Sequence, residues 1–357
     1  MLKFLVLATD IVRRKGGPRK SPLFQFLRVF FAPGEVNTLT PGELDPRRPL
    51  TTEILLIENP TSLTPEQLRG VNYRQAVLFD YGDGRTPHWN PENKEFLSSL
   101  SDLYLKSFVD RGTDYDFRMG TLPLYRKKKL QQCLRIQELK QAIFGAGSQR
   151  KIDLFFSGAP TDLRIHEHGQ DRLYNQRIEW LSEARTADFP YRFVGGLSYI
   201  NKSRLKKALE LHGDFRHLIS RRRYDFYSYY YHLCHSKIAL VPTGHARWTY
   251  RHYEAVYARN VMLSTDMTNI ELLVPLPPHF IQVPDGAKIL PYVEEGLKFF
   301  AEQSDLLDDN LRSLKQYYDQ GQFSSSCPKS LERFLIQLEP GYQAQSTSPA
   351  NSPASNR

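Results

Sequence analysis

The sequence predicts an α/β protein of two domains with a cleft between them, each a largely parallel sheet with helices on its faces. Short apolar runs alternate with capped or amphipathic segments, the pattern of strand–helix units. That alternation is clean from Lys151 to about Asp266 and looser from Met1 to about Gly120. Between the two regions, "GAGSQRK" (Gly145 to Lys151) has the composition of a linker. A length of 357 residues suits two domains of ordinary size.

The expected strands are "KFLVLA", "EILLIE", "AVLFDY", "KIDLFFSG", "YRFVGG", "KIALVP" and "NVMLST". The first of these lies in "MLKFLVLATDIV", which has some look of a signal peptide. The apolar run is short, Lys3 interrupts it and no small-residue cleavage site follows, so a buried strand is expected. Helices are expected at "TPEQL", where Thr64 caps and a proline takes the first helical position, and again at "NPENKEFLSSL". Further helices are expected over "KKKLQQCLRIQELKQAIF" (Lys127 to Phe144), "QDRLYNQRIEWLSEA", "KSRLKKALEL" and "YDFYSYYYHLCH". The expected domains are residues 1–145 and 151–290, then helices over 291–338. The tail 339–357 is rich in Ser, Pro, Asn and Gln and is expected to be disordered.

A net charge of +9 favours an anionic partner without choosing among nucleotide, nucleic acid, acidic polysaccharide and anionic membrane. The three cysteines, Cys133, Cys234 and Cys327, form neither a disulfide framework nor a zinc motif, which suits a reducing compartment. No stretch has the roughly 18 uninterrupted apolar residues of a membrane span. The expected location is the cytoplasm, with peripheral attachment to a membrane or complex allowed by the charge.

The stretch "KIALVPTGHARWTYRHYEAV" carries the chemistry. Its strand ends at Pro242, Thr243 and Gly244 turn the chain, and a helix is expected to start near Arg247 or Trp248. Free N–H groups at such a helix start attract phosphate. Arg247 and Arg251 are four apart, on one face of that helix, and arginine's forked donor suits phosphate oxygens. Glu254 lies three residues on and can accept from both hydroxyls of a ribose, while Asp266 follows the next strand at the same sheet edge. Together they read as a nucleotide-diphosphate-sugar site. Arg251 and Glu254 also read as an ordinary surface ion pair, and one glycine without a Lys-Ser/Thr pair is a weaker phosphate signal than a P-loop.

"HSKIALVPTGHARWTYRHYEAVYARNVMLSTD" resembles the C-terminal signature of exostosin-like glycosyltransferases. "KIDLFFSGAPTDLR" followed by "RIEWL" is similar to the opening of that family's donor domain, with Gly158 at the strand end and Arg164 beyond it. "AVLFDYGDG" followed by "SDLYLKSFVDRG" is similar to the middle of related bacterial proteins. The resemblance implies a GT-B-like fold, two facing Rossmann-like domains with C-terminal helices. It implies a nucleotide-sugar donor on the C-terminal domain and the acceptor, a glycan or other hydroxyl compound, on the N-terminal one. Carried over, Arg251 binds the donor diphosphate and Glu254 its nucleoside. The chain departs from the pattern in its aromatic "RWTYRHYEAVY" and in "VMLSTD", where a Val-Pro pair is frequent. No active-site metal and no cofactor beyond the nucleotide sugar are implied, and inversion or retention stays open.

Other constellations are secondary. Asp114 and Asp116 in "TDYDF" form an Asp-x-Asp, but they follow "VDRG" in an apparent loop and are read as loop aspartates. In "FDYGDGR", Asp80 ends a strand before a Gly82/Gly84 turn. Asp80 and Asp83 are the candidate bases for an acceptor hydroxyl; a turn held by Asx hydrogen bonds is the plainer reading. "RIHEHGQDR" lacks a third metal ligand and is read as a polar loop, and the aromatics of "YDFYSYYYHLCH" as packing. The function expected is a glycosyltransferase of polysaccharide biosynthesis. The alternative is a non-catalytic basic α/β protein that binds nucleic acid or another polyanion, favoured by "RRR" at 221–223 and disfavoured by the absence of a nucleic-acid motif.

Overall fold

The computed structural model describes residues 2–8, 17–82, 84, 86–87, 91–123, 150–167, 170–220, 224–318 and 329–339. The chain divides into two compact units. The first takes residues 1–125, 268–275 and 317–357, and the second takes 126–267 and 276–316. Both sheets were expected from the apolar runs, and all seven of those runs contain strands. The helix expected over Lys127 to Phe144, the linker up to residue 149, the "RRR" run and the tail beyond 339 lie outside the described residues.

In the first unit the strands are β1 (Leu2–Leu7), β2 (Val36–Leu39), β3 (Leu50–Glu58), β4 (Val71–Phe79), β5 (Leu103–Lys106), β6 (Val109–Asp110) and β7 (Arg118–Thr121). Six of them form one parallel sheet in the order β2-β1-β3-β4-β5-β7. β6 pairs antiparallel with Ile270–Glu271. Side chains alternate across a strand, so Phe4, Val6, Leu56, Val77 and Phe79 bury on one face. Leu5, Leu7, Leu55, Ile57 and Leu78 bury on the other. Both faces are covered, which is why these strands read as continuous apolar runs. Helix α1 (Pro22–Phe30) covers the first face with Leu23 and Leu27, while α2 (Pro65–Leu68) and α3 (Lys94–Leu100) cover the second with Leu68 and Leu97. Thr64 caps α2 as expected, and with Gln67 it forms a capping box.

The second unit has β8 (Ile152–Gly158), the antiparallel hairpin β9 (Leu163–Glu167) and β10 (Gln170–Tyr174), then β11 (Phe193–Leu197), β12 (Ser236–Val241) and β13 (Val261–Thr265). β14 is the Ile270–Glu271 partner of β6, and β15 spans Ile281–Val283. The main sheet is parallel, in the order β11-β8-β12-β13-β15. Its helices are α4 (Gln176–Glu183), α5 (Lys202–His212), α6 (Phe226–Cys234), α7 (Arg251–Tyr257), α8 (Leu290–Glu302) and α9 (Asp305–Tyr318), the last running on into the first unit. Leu154, Phe156, Trp180, Ile238 and Val293 share one core, Phe155, Tyr230, Ala239 and Met262 the opposite one.

Helix α10 (Lys329–Gln337) packs on the first unit. Phe334 enters the sheet core, and the Gln337 carboxamide oxygen accepts from the Thr121 N–H (2.6 Å) and hydroxyl (3.1 Å). Among the described residues no helix is long and apolar enough to cross a membrane.

One expected element is corrected. "QDRLYNQRIEWLSEA" does not make one helix: Gln170–Tyr174 is strand β10, and α4 begins only after Asn175. The Asn175 carboxamide caps α4 by accepting from the Ile178 N–H at 3.2 Å, and a side chain that bonds its own backbone in this way favours a helix start over a helix interior.

Candidate functional site

In chain order the strands of the second sheet run second, first, third, fourth, fifth. The order reverses between β8 and β12, and ligands of open α/β sheets bind outside the carboxyl ends of strands at such a reversal. Gly158 ends β8, and Thr243 and Gly244 follow β12. Two of the expected glycines therefore flank the reversal.

Arg251 is anchored at the end of β8. Its Nε and Nη2 donate to the Ser157 carbonyl at 3.2 and 2.9 Å, and its guanidinium lies 5.6 Å from the centre of the Phe156 ring. A Cβ built on Gly158 would sit 2.6 Å from Arg251 Nη2, so glycine there makes room for the guanidinium. Gly244 plays the same part for a second arginine. A Cβ at Gly244 would sit 2.5 Å from Nη2 of Arg177, the buried second residue of α4. Arg177 donates from Nε to the Thr243 carbonyl (2.7 Å) and from Nη1 to the Ala159 carbonyl (2.6 Å). Its guanidinium also packs 5.9 Å from the Phe156 ring centre. Two guanidinium groups thus share one aromatic ring at the switch point.

Glu254 is buried, at 5 % exposure, on α7. It is therefore not half of a surface ion pair. The Tyr229 hydroxyl on α6 donates to its Oε2 at 2.8 Å. Burial, with the negative charge of Glu254 next, pushes the Tyr229 phenol well above its ordinary pKa, so it keeps its proton and remains a donor. A narrow cavity lined by Phe155, Phe156, Ser157, Tyr229, Val241 and Arg251 lies at this point.

The approach to α7 departs from expectation. The helix begins at Arg251, not near Arg247, because residues 244–247 are bends and Tyr250 is the cap. Arg247 and Arg251 consequently do not share a helical face. Arg247 instead forms a two-point ion pair with Asp285, Nη1 to Oδ1 at 3.0 Å and Nη2 to Oδ2 at 2.5 Å. Its Nη1 also reaches the Asp266 carbonyl at 3.5 Å. The turn N–H groups expected to be free are engaged: Thr243 N–H donates to Gln176 Oε1 (2.9 Å) and Gly244 N–H to the Ala246 carbonyl (2.8 Å). The reason is local closure, since a backbone donor buried without a partner would cost free energy. Among the described residues, the buried Thr243 Oγ1 and Gln176 Nε2 have no hydrogen-bond partner.

Arg164 lies on β9 of the hairpin, and Asp266 directly follows β13, partly buried. His166 and Glu167 are strand residues of β9 rather than loop, and His168 lies outside the described residues. Asp114 and Asp116 fall between β6 and β7, as loop aspartates should, with Asp116 paired to Lys94 at 2.8 Å in the open.

Asp80, in the first unit, is fully buried. Its Oδ1 accepts from Lys106 Nζ (2.7 Å) and from the Gly82 N–H (2.6 Å), and its Oδ2 from the Tyr104 hydroxyl (2.8 Å). A carboxylate so engaged holds its turn and would have to break an ion pair to take a proton from an acceptor. Asp83 lies outside the described residues.

Sequence reasoning missed Arg177, Tyr229, Asp285 and Lys106. Arg177 opens "RIEWL", and its place in the first turn of a helix beside the Gly158 strand was the one available signal.

No family profile matches the chain, and no curated protein does. Solved structures do. A glycosyltransferase from Rickettsia africae ESF-5 is similar at TM-score 0.50 and 9% identity, covering 94% of this chain and 97% of its own. A UDP-forming α,α-trehalose-phosphate synthase from Burkholderia vietnamiensis is similar at TM-score 0.49 and 13% identity, covering 83% and 73%. An Escherichia coli trehalose-6-phosphate structure bound with UDP-2-fluoro glucose is similar at TM-score 0.45 and 14% identity, covering 84% and 75%. At these identities the likeness speaks for the fold: two Rossmann-like units with C-terminal helices, of the GT-B glycosyltransferase type.

Proposed function

We propose that the protein is a glycosyltransferase that moves a sugar from a nucleotide-diphosphate sugar to a glycan or other hydroxyl acceptor, in the manner of exostosin-like enzymes. The carrying observation is the convergence of Arg251, Glu254 and Tyr229 at the strand-order reversal of the second sheet. A buried carboxylate and a guanidinium at one sheet edge match the two ends of a nucleoside diphosphate, its ribose diol and its phosphates. As the glycosidic bond breaks, negative charge gathers on the leaving diphosphate. A positioned guanidinium stabilises that charge more in the transition state than in the ground state. The acceptor hydroxyl, on this reading, needs a base; Asp83 is the candidate that remains beside Asp80, which would serve only with its Lys106 ion pair broken. Arg247 and Asp285 fix the 244–247 bends beside the donor, and the positive charge at the site comes from arginine without a metal.

Thermal unfolding in the presence of a panel of nucleotide sugars tests this. One donor should raise Tm in the parent and not in Arg251→Ala, because a ligand bound only by the folded state stabilises it. The shift should persist in EDTA. No shift with any donor would count against the assignment, and a shift that requires manganese would move attention to Asp114 and Asp116.

A further inference from the structure

We infer that Tyr229 is a positioning residue of the nucleotide site: it orients Glu254 toward the ribose diol. The inference rests on the donor reading above and extends it to a residue on a separate helix.

A glutamate side chain has several soft torsions, and its terminal one is broad and roughly two-fold. A buried carboxylate that must present one oxygen to a pair of hydroxyls therefore needs something to hold the other. Tyr229 supplies that hold. Its hydroxyl donates to Glu254 Oε2 at 2.8 Å. Tyr229 and Arg251 line the same narrow cavity, so the phenol that holds Glu254 stands beside the guanidinium.

The phenol is itself fixed. Tyr229 lies in the first turn of α6, where the Asp225 carboxylate caps by accepting from the Ser228 N–H at 2.7 Å. Its ring packs 5.6 Å from Phe155, a β8 residue, and 6.5 Å from Phe226. On the same helix Tyr230 and Leu233 bury into the core, while Tyr227 and Tyr231 are exposed. Tyr229 carries its hydroxyl inward to the Glu254 carboxylate. Packing accounts for the ring and leaves the hydroxyl unexplained. A phenylalanine would fill the same space without the hydroxyl.

The test is a comparison of ribo- and 2′-deoxyribonucleoside diphosphates. UDP, GDP and ADP, with dUDP, dGDP and dADP, are titrated calorimetrically into the parent, Tyr229→Phe, Glu254→Gln and the double variant. In the parent the best ribonucleotide should bind at least tenfold more tightly than its deoxy form. Tyr229→Phe should cut that ratio by fivefold or more while leaving the deoxynucleotide affinity within twofold, which also shows that the site is folded. In the Glu254→Gln background the tyrosine change should alter the ratio no further. If Tyr229→Phe weakens both sugars equally, or keeps the parental ratio while Glu254→Gln abolishes it, the positioning role is wrong and the site reading stands. If Glu254→Gln keeps the ratio, or no nucleoside diphosphate binds the parent, the site reading is wrong and takes this inference with it.

Discussion

Arg251 occupies the space that a side chain at Gly158 would need. Its Nη2 lies 2.6 Å from an ideal Cβ at that position, and the Phe156 Cζ lies 3.0 Å from it. The guanidinium is held by the carbonyl of Ser157, one residue before the glycine. One strand end thus both anchors the arginine and makes room for it.

Gly158→Ala should therefore act as a conservative displacement of Arg251. The clashing atom is the far end of a flexible side chain, so the fold should accept the change. Loss of hydrogen bonds to Ser157 should cost about 1 kcal/mol of stability, read as a small shift in urea midpoint. Donor turnover should fall toward that of Arg251→Ala. A Gly158→Ala protein with parental kcat/KM would show that the position of this guanidinium is irrelevant to the reaction.

Removing Arg251 itself should reduce turnover far more than stability. A lost charge-stabilising group of this kind costs roughly 2 to 4 kcal/mol in the transition state, or about 30- to 1,000-fold in rate. Arg251→Lys should recover only part, because the fork that grips the Ser157 carbonyl through two nitrogens is lost. Glu254→Ala should chiefly raise the donor KM, since contacts to the ribose change little as the sugar leaves. Steady-state kinetics of the three purified variants separate these outcomes, and full turnover in Arg251→Ala would refute the site.

Much of this was legible in the sequence because it is local. The seven apolar runs sit in sheets covered on both faces, so each strand announced itself without alternation. Strand β5 did not, because "LYLK" is short and ends in a lysine that looks solvent-bound; only the fold shows Lys106 fully buried against Asp80. Gly158, Gly244, Arg251 and Glu254 were readable because strand ends and the residues after them are contiguous in the chain. Arg177, Tyr229 and Asp285 were not, because each comes from another element. Which element meets the Gly244 turn is decided by the order of strands in the sheet, and no single segment carries that order. The start of α7 was misplaced because "GHARWTY" has no Ser, Thr, Asp or Asn at its cap to mark a boundary. Thr249 precedes the helix and uses its backbone N–H on His252 instead.

The Asp80–Lys106 pair can be separated from catalysis by a double substitution. Lys106→Met leaves a buried carboxylate without its cation and should cost about 3–5 kcal/mol. Adding Asp80→Asn should return most of that, because the interior charge is then gone while the Tyr104 and Gly82 contacts can be kept. Urea unfolding measures both. If the double variant folds and transfers sugar at the parental rate, Asp80 serves only to hold the turn. If it folds and is inactive, the carboxylate takes part in the reaction despite its burial.

His252 gives the protein a dependence on pH that can be read in stability. It is fully buried on α7 and its pKa is lowered to about 4, first by desolvation, with a smaller opposing effect of the Thr249 backbone and a further lowering by Arg251. Both ring nitrogens have polar neighbours: Nε2 lies 2.9 Å from Ser264 Oγ, and Nδ1 lies 2.9 Å from the Thr249 carbonyl and 3.2 Å from the Thr249 N–H. The unfolded chain, with an ordinary histidine near 6.5, binds the proton more readily than the folded one. Stability from this group is therefore complete above about pH 6.5 and is lost as pH falls toward 4. Between pH 7 and pH 5 the loss should be about 2 kcal/mol. Other groups titrate over the same range, so the quantity to measure is the difference between the parent and His252→Gln, each unfolded in urea at both pH values. The parent should lose about 2 kcal/mol more than the variant. Equal losses in the two proteins would mean that His252 is not held neutral in the folded state.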